Sequence, residues 1–240
     1  MERDENTAIA WQQSWDAGYR GFETDIRMTS DGVLYLTHDH TLERTTNGEG
    51  IFEQHTSAQI EKLRTKKGNR IMKLEEFCRF LDGKDSLYVE FELKTKPEEL
   101  YPQARLEEYI EKVVALVNSI KTKGSLLVYT SSDYRPLRYL QTHYPEADLL
   151  LIISKPLDDE TIAMAKLTGI NTLGCTRPGT SAKMVQKAHE AGIIVSLWPN
   201  QSVNDIVQGI YLGADRLCCD VPVEVKTFLD EKMPWLKTVY

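Results

Sequence analysis

Cysteine is scarce in this chain, with four in 240 residues, and no pair has Cys-x-x-Cys spacing. Cys78, Cys175, Cys218 and Cys219 are therefore read as reduced packing residues, not as a zinc site, a redox pair or a disulfide framework. Long apolar runs are also missing. The longest, from Leu149 to Ile153 with its flanks, is far short of the roughly 20 residues that a membrane-crossing helix needs, so no membrane span is expected. There is no excess of positive charge: the net charge is -7, which argues against nonspecific nucleic-acid binding because that requires a basic surface facing phosphates. Local cations could still hold a small anionic substrate. The first six residues show no cationic stretch leading into an apolar one, so no signal peptide is read and the chain as written is expected in the cytoplasm. No repeat of solenoid length and no low-complexity linker breaks the sequence.

What remains is an ordinary globular composition, 41% hydrophobic, 27% charged and 9% aromatic, long enough for one large domain with a full core. Asn6 and Thr7 precede a helical apolar spacing, so a polar cap and a helix reaching about Gly18 open the chain. From there strand and helix patterns alternate. Seven main strands are expected to start at Tyr19, Leu87, Ser125, Ala147, Asn171, Ile193 and Arg216, with a further short one over 33–37. Such alternation implies parallel strands joined by crossover helices, an α/β fold of the TIM (β/α)8-barrel type. A full barrel has eight strands and begins with one. Here the first is absent, and a polar, aperiodic stretch over about 40–70 reads as an insertion that shapes a binding site. Residues 1–240 are read as a single domain.

The stretch that organises the chain is Gly21-Phe22-Glu23-Thr24-Asp25-Ile26-Arg27 with Thr29-Ser30-Asp31-Gly32 and Leu34-Tyr35-Leu36-Thr37-His38-Asp39. A period of two puts Glu23 and Asp25 on one strand face, and the turn at Asp31-Gly32 returns the chain so that His38 and Asp39 arrive beside them. Carboxylates beside an imidazole suit metal-assisted hydrolysis, in which hard oxygen ligands hold a cation and imidazole moves a proton. The alternative is a solvent-facing acidic strand with an ordinary loop histidine. Active sites of barrels lie at the C-terminal ends of the strands, which singles out Glu23, Asp25, Glu92, Lys94, Ser131, Trp198 and Asp220. Glu92 is the third carboxylate for a metal, while Glu90 lies lower or is paired there. Lys94, two residues beyond Glu92, can face a bound phosphate. His40, His55, His143 and His189 are read as surface or packing residues.

These residues resemble the glycerophosphodiester phosphodiesterases over nearly the whole chain. The resemblance is carried by Glu5-Asn6-Thr7, Glu23-x-Asp25 with Thr29-x-Asp31-Gly32, His38-Asp39 with Leu42-x-Arg44-Thr45-Thr46, Glu92-x-Lys94, and Gly213-x-Asp215 with Asp220-x-Pro222. It implies a barrel that hydrolyses glycerophosphodiesters to glycerol 3-phosphate and an alcohol, in lipid and glycerol phosphate metabolism. It further implies a Ca²⁺ or Mg²⁺ ion on Glu23, Asp25 and Glu92, an acid/base role for His38, phosphate contact by Lys94 and packing of Trp198 on the glycerol part. Trp198 is followed by Pro199-Asn200-Gln201, where the family pattern has Thr-x-Asn. The family also places His-Arg-Gly at the end of a first strand, ahead of Glu-Asn-Thr, and this sequence contains no such triplet. The expectation is a displayed start downstream of that strand, with little activity in residues 1–240 alone and unpaired edges beside the strands at Tyr19 and Arg216. Two other readings stand: a degenerate barrel that binds phosphodiester or metal without turnover, and a phosphodiesterase of the lysophospholipase D kind. The partner implied is the small-molecule substrate, and a homo-oligomer is left open.

Overall fold

The computed structural model describes residues 4–236, which divide into two compact units, the first reaching Asp148 and the second starting at Leu149. In the first unit, α1 (Ala8–Asp16) precedes β1 (Gly21–Met28), and β2 (Leu34–Leu36) folds back antiparallel on its C-terminal half, pairing Ile26 with Leu36 and Met28 with Leu34. The turn between them needs Gly32, whose φ of +82° is unfavourable for side-chain-bearing residues. After α2 (Ser57–Ile60) and α3 (Leu74–Leu81) come β3 (Tyr88–Leu93), α4 (Gln103–Val117), β4 (Leu126–Ser131) and α5 (Tyr134–His143). β3 runs parallel between β1 and β4. Most of β1 is buried, as expected of a parallel strand covered on both faces. Leu74, Phe77, Cys78 and Leu81 follow helical spacing on α3 and are buried, and Phe77 packs with Trp11, Phe22 and Phe91 in one aromatic cluster.

The second unit contains β5 (Asp148–Pro156), whose first residue closes the first unit, then α6 (Asp159–Thr168), β6 (Thr172–Thr176), α7 (Ala182–Glu190), β7 (Ile194–Asn200), α8 (Val203–Leu212), β8 (Arg216–Cys219) and α9 (Pro222–Lys232). β5, β6, β7 and β8 are parallel neighbours in that order. The polar residues ahead of these helices cap them: Asp158, Ser181 and Ser202 accept from the main-chain N–H of Thr161, Met184 and Asp205. The seven main strands thus stand where hydrophobic periodicity put them, within about two residues.

Three local readings gain detail. In the segment at 40–70, Leu42, Phe52 and Ile60 bury with Tyr35 of β2 in a small core of their own. The β1 edge is covered only in part: β2 pairs its C-terminal half, Thr37 N–H donates to the Asp25 carbonyl at 3.0 Å and Asn6 Oδ1 accepts from Asp25 N–H at 3.2 Å. Among the described residues no strand pairs with Gly21–Thr24 on the side away from β3, and β8 pairs only with β7, so the expected unpaired edges are present. Thr7 occupies the cap position of α1, yet its hydroxyl donates to the Asp4 carbonyl and not to the helix, while the Asn6 side chain turns away to β1. Among the described residues, no helix is long and apolar enough to cross a membrane.

Candidate active site

β1 and β3 build the site between them. Their parallel register sets Asp25 opposite Glu92 and Glu23 opposite Glu90, and the alternation along β1 carries Glu23 and Asp25 to one side. One oxygen from each of Glu23, Asp25 and Glu92 lies within 4.8 Å of the others. Enclosure by protein and the nearby charges of Asp25 and Glu92 push the Glu23 carboxyl well above the usual range. Because Glu23 is itself exposed at the surface, water moderates the first cause, and carboxylate repulsion is the firmer one. Burial, then repulsion from Asp25, raises Glu92 to about 7. Burial alone would raise Asp25 too, but the Lys94 ammonium, His38 and the Asn6 amide outweigh it and hold Asp25 below its ordinary value.

Lys94 Nζ sits 2.9 Å from Glu92 Oε1 and 3.2 Å from Asp25 Oδ1, so its ammonium neutralises part of the cluster's charge. Asn6, 19 residues earlier than Asp25, donates from Nδ2 to Asp25 Oδ2 at 2.9 Å and accepts at Oδ1 from the Thr24 hydroxyl at 2.7 Å. Its φ of +55° lies in the left-handed region that asparagine tolerates better than most side chains. Asn6 was legible only as a cap, or as part of the Glu5-Asn6-Thr7 resemblance. Asp4, two residues ahead of it, accepts from the Asn69 amide at 2.8 Å and from the Thr65 hydroxyl.

His38 follows β2 and is half exposed, with Nδ1 2.6 Å from Asp39 Oδ1. The Arg44 guanidinium grips Asp39 through Nε and Nη2, and reaches Glu5 through Nη2 at 2.6 Å and Nη1 at 3.0 Å. Burial would raise the Asp39 carboxyl, but Arg44 and His38 hold it at about 2, so it stays charged beside the ring. With Nδ1 engaged, Nε2 is the nitrogen left for proton exchange. Its neighbourhood is the carboxylate cluster, since the His38 charge acts on both Asp25 and Glu92.

The other expected residues divide. Glu90 is buried and accepts from the Tyr88 hydroxyl, in keeping with a paired position lower in the strand. Ser131 is consumed by structure, donating to the Leu93 carbonyl at 2.7 Å and accepting from Asp133 N–H at 3.0 Å. Trp198 lies on β7 in the second unit, half buried, with its indole Nε1 buried and unpartnered among the described residues. Asp220 follows β8 in that unit, and its N–H donates to the Asn200 carbonyl. His55 and His143 bond the carbonyls of Ile51 and Tyr139, and His189 bonds Asp215, as packing or surface histidines do.

The donor set fits a hard divalent cation: three carboxylates, no sulfur, and mutual repulsion that a cation would relieve. Two of the three carboxylates that would hold it, Asp25 and Glu92, already hold the Lys94 ammonium, which shows that the cluster accepts positive charge in this arrangement.

The sequence matches the glycerophosphoryl diester phosphodiesterase family over residues 1–224. It is 28% identical over 225 residues to the glycerophosphodiester phosphodiesterase of Caldanaerobacter subterraneus subsp. tengcongensis, covering 91% of this chain and 89% of that protein. Its fold is that of an Oleispira antarctica phosphodiesterase solved with the product sn-glycerol-3-phosphate, with a TM-score of 0.81 and 19% identity over 94% of this chain and 91% of that one. The glycerophosphodiester phosphodiesterase of Agrobacterium tumefaciens str. C58 aligns with a TM-score of 0.69 and 22% identity, covering 93% of each chain. The barrel-type α/β class read from the sequence is thereby met.

Proposed function

Because the chain belongs to the glycerophosphoryl diester phosphodiesterase family, we propose that it hydrolyses glycerophosphodiesters to glycerol 3-phosphate and an alcohol, as one catalytic domain. The observation that carries this reading is the convergence of Glu23, Asp25 and Glu92 within 4.8 Å, with Lys94 among them and the His38–Asp39 pair alongside. Glu23, Asp25 and Glu92 are the residues that would hold Ca²⁺ or Mg²⁺. Such an ion, when bound, draws charge from nonbridging phosphate oxygens and so favours attack at phosphorus.

The chain's own groups account for binding and proton movement. Lys94 meets the phosphate as a point charge. Hydrolysis forms one P–O bond to water and breaks the one to the departing alcohol. One proton leaves the water for bulk solvent and one reaches the alkoxide. His38 Nε2 delivers the latter, while Asp39 steadies the imidazolium before delivery and fixes the ring's orientation. Arg44 and Glu5 keep Asp39 charged and in place. A general acid of this kind typically contributes about 10²–10⁴-fold.

The test is release of glycerol 3-phosphate from glycerophosphocholine by the purified protein, with Ca²⁺ or Mg²⁺ supplied and then removed by chelator. Metal-dependent turnover that His38→Ala abolishes supports the reading. Absence of turnover with intact divalent-ion binding would favour the non-catalytic alternative.

A further inference from the structure

Arg27 lies two residues beyond Asp25 on β1 and is 4% exposed, an unusual place for a guanidinium. Its Nη1 is 2.6 Å from Glu53 Oε1, both side chains being buried, and Glu53 comes from the short turn of helix over Phe52–Gln54 in the 40–70 segment. Glu53 Oε1 also accepts from the Tyr101 hydroxyl at 3.3 Å, which in turn accepts from Met28 N–H at 3.1 Å. Arg27 Nε donates to the His38 carbonyl at 3.0 Å, and Nη1 reaches the carbonyls of Lys96 at 3.2 Å and Lys94 at 3.5 Å.

A buried ion pair adds little net stability, because removing two charges from water consumes most of their attraction, and an apolar pair of similar volume serves a core as well. Only a planar fork of donors can gather main-chain oxygens from two separate loops at one point. Those loops are the ones that carry His38 and Lys94. His38 needs such support, since its ring is half exposed and, among the described residues, the ring's hydrogen bond is to its own neighbour, Asp39. We propose that Arg27, held in place by Glu53, is a positioning residue that sets His38 against Lys94 and Glu92. This inference rests on His38 being the proton-transfer group. It also gives the 40–70 segment a part in the geometry of proton transfer, through Glu53, in addition to any part in choosing the alcohol.

The test compares Arg27→Lys and the double substitution Arg27→Met with Glu53→Met against His38→Ala. Turnover of glycerophosphocholine, KM, Ca²⁺ affinity by calorimetry and melting temperature are measured for each. In the double variant an apolar pair replaces the ion pair, so it should melt near the parent protein and bind Ca²⁺ and substrate as well, while kcat falls by about 10²-fold, the usual cost of roughly 1 Å of misplacement. Arg27→Lys keeps the charge facing Glu53 but loses the fork, and should show the same loss of kcat with KM unchanged. If the double variant does not fold, Arg27→Lys decides by the same split. Wild-type kcat in these variants with an inactive His38→Ala overturns the positioning role and leaves the functional reading intact. A parallel fall of kcat, Ca²⁺ affinity and melting temperature in both overturns it as well, in favour of a purely structural pair. A fully active His38→Ala would overturn the functional reading, and this inference with it.

Discussion

Asp25 and Glu92 face each other across the β1–β3 register, and the Lys94 ammonium touches both. Their environments drive them apart: Asp25 is held below the usual carboxylate range, whereas Glu92 is raised to about 7 and Glu23 is raised with it. A divalent ion must therefore displace the proton that Glu92 holds below about pH 7. Ca²⁺ affinity should rise by about five- to tenfold from pH 6 to pH 7.5, with proton release on binding, as titration calorimetry in two buffers of different ionisation enthalpy would show. The sign for stability follows. A carboxyl whose folded pKa lies above its unfolded one binds more protons when folded, so the ion-free protein loses stability as pH climbs from the ordinary carboxylate range to about 7. Added Ca²⁺ should accordingly raise the melting temperature more at pH 8 than at pH 5.5. An equal shift at both would contradict the assignment of these carboxylates as ligands.

Asn6 acts on the same cluster from behind. It donates to Asp25 Oδ2 and accepts from the Asp25 N–H and the Thr24 hydroxyl, so it fixes the carboxylate's orientation without being a ligand itself. Partners of this kind typically cost about 10–100-fold in metal affinity when lost. Asn6→Ala should therefore weaken Ca²⁺ binding by about tenfold or more. Asn6→Asp should be worse, since it puts a fourth negative charge beside Asp25 and removes the donor. Unchanged affinity in Asn6→Ala would make the residue a mere anchor for the segment ahead of α1.

Lys94 faces two competing demands. Its ammonium shares oxygens with any cation bound to Asp25 and Glu92, and in the proposed reading it also meets the phosphate. Lys94→Met should tighten Ca²⁺ binding at pH 8, where the carboxylates are charged, while raising KM for glycerophosphocholine by about tenfold or more, the range for a hydrogen bond to a charged group. Opposite movement of the two constants is the signature. Weakening of both would mean that Lys94 organises the carboxylates and does not compete for them.

Much of this was legible because it depends on short-range periodicity. Glu23-x-Asp25 and Glu92-x-Lys94 announce a shared strand face, and the turn at Asp31-Gly32 announces the return of His38. Asn6 was not, because its role depends on contact with a residue 19 positions away, and a polar residue ahead of a helix reads first as a cap. The core of the 40–70 segment was hidden for a related reason. Leu42, Phe52 and Ile60 fit neither a helical nor a strand period, and only the folded chain brings them together with Tyr35 of β2. Ser131 shows the converse: its place at a strand end is right, but its hydroxyl closes the turn into α5.

His38 and Asp39 give the sharpest kinetic expectation. The His38 side chain is 51% exposed, so His38→Ala should leave the melting temperature nearly unchanged while lowering kcat by at least about 10²-fold. Asp39→Asn keeps the shape but loses the charge that steadies the imidazolium, and should fall between the parent and His38→Ala. Burial opposes ionisation of Asp39, but Arg44 and His38 hold its carboxyl at about 2, so it is already charged wherever the enzyme works and should add no limb of its own to the pH–rate profile above pH 4. Arg44→Gln frees Asp39 from its clamp and should reduce kcat less than Asp39→Asn, with stability little affected, because the Arg44 side chain is 52% exposed and surface ion pairs contribute little. If Arg44→Gln instead proved as damaging as His38→Ala with KM sharply raised, Arg44 would be contacting the substrate directly, and the chain from Glu5 to His38 would serve binding before proton transfer.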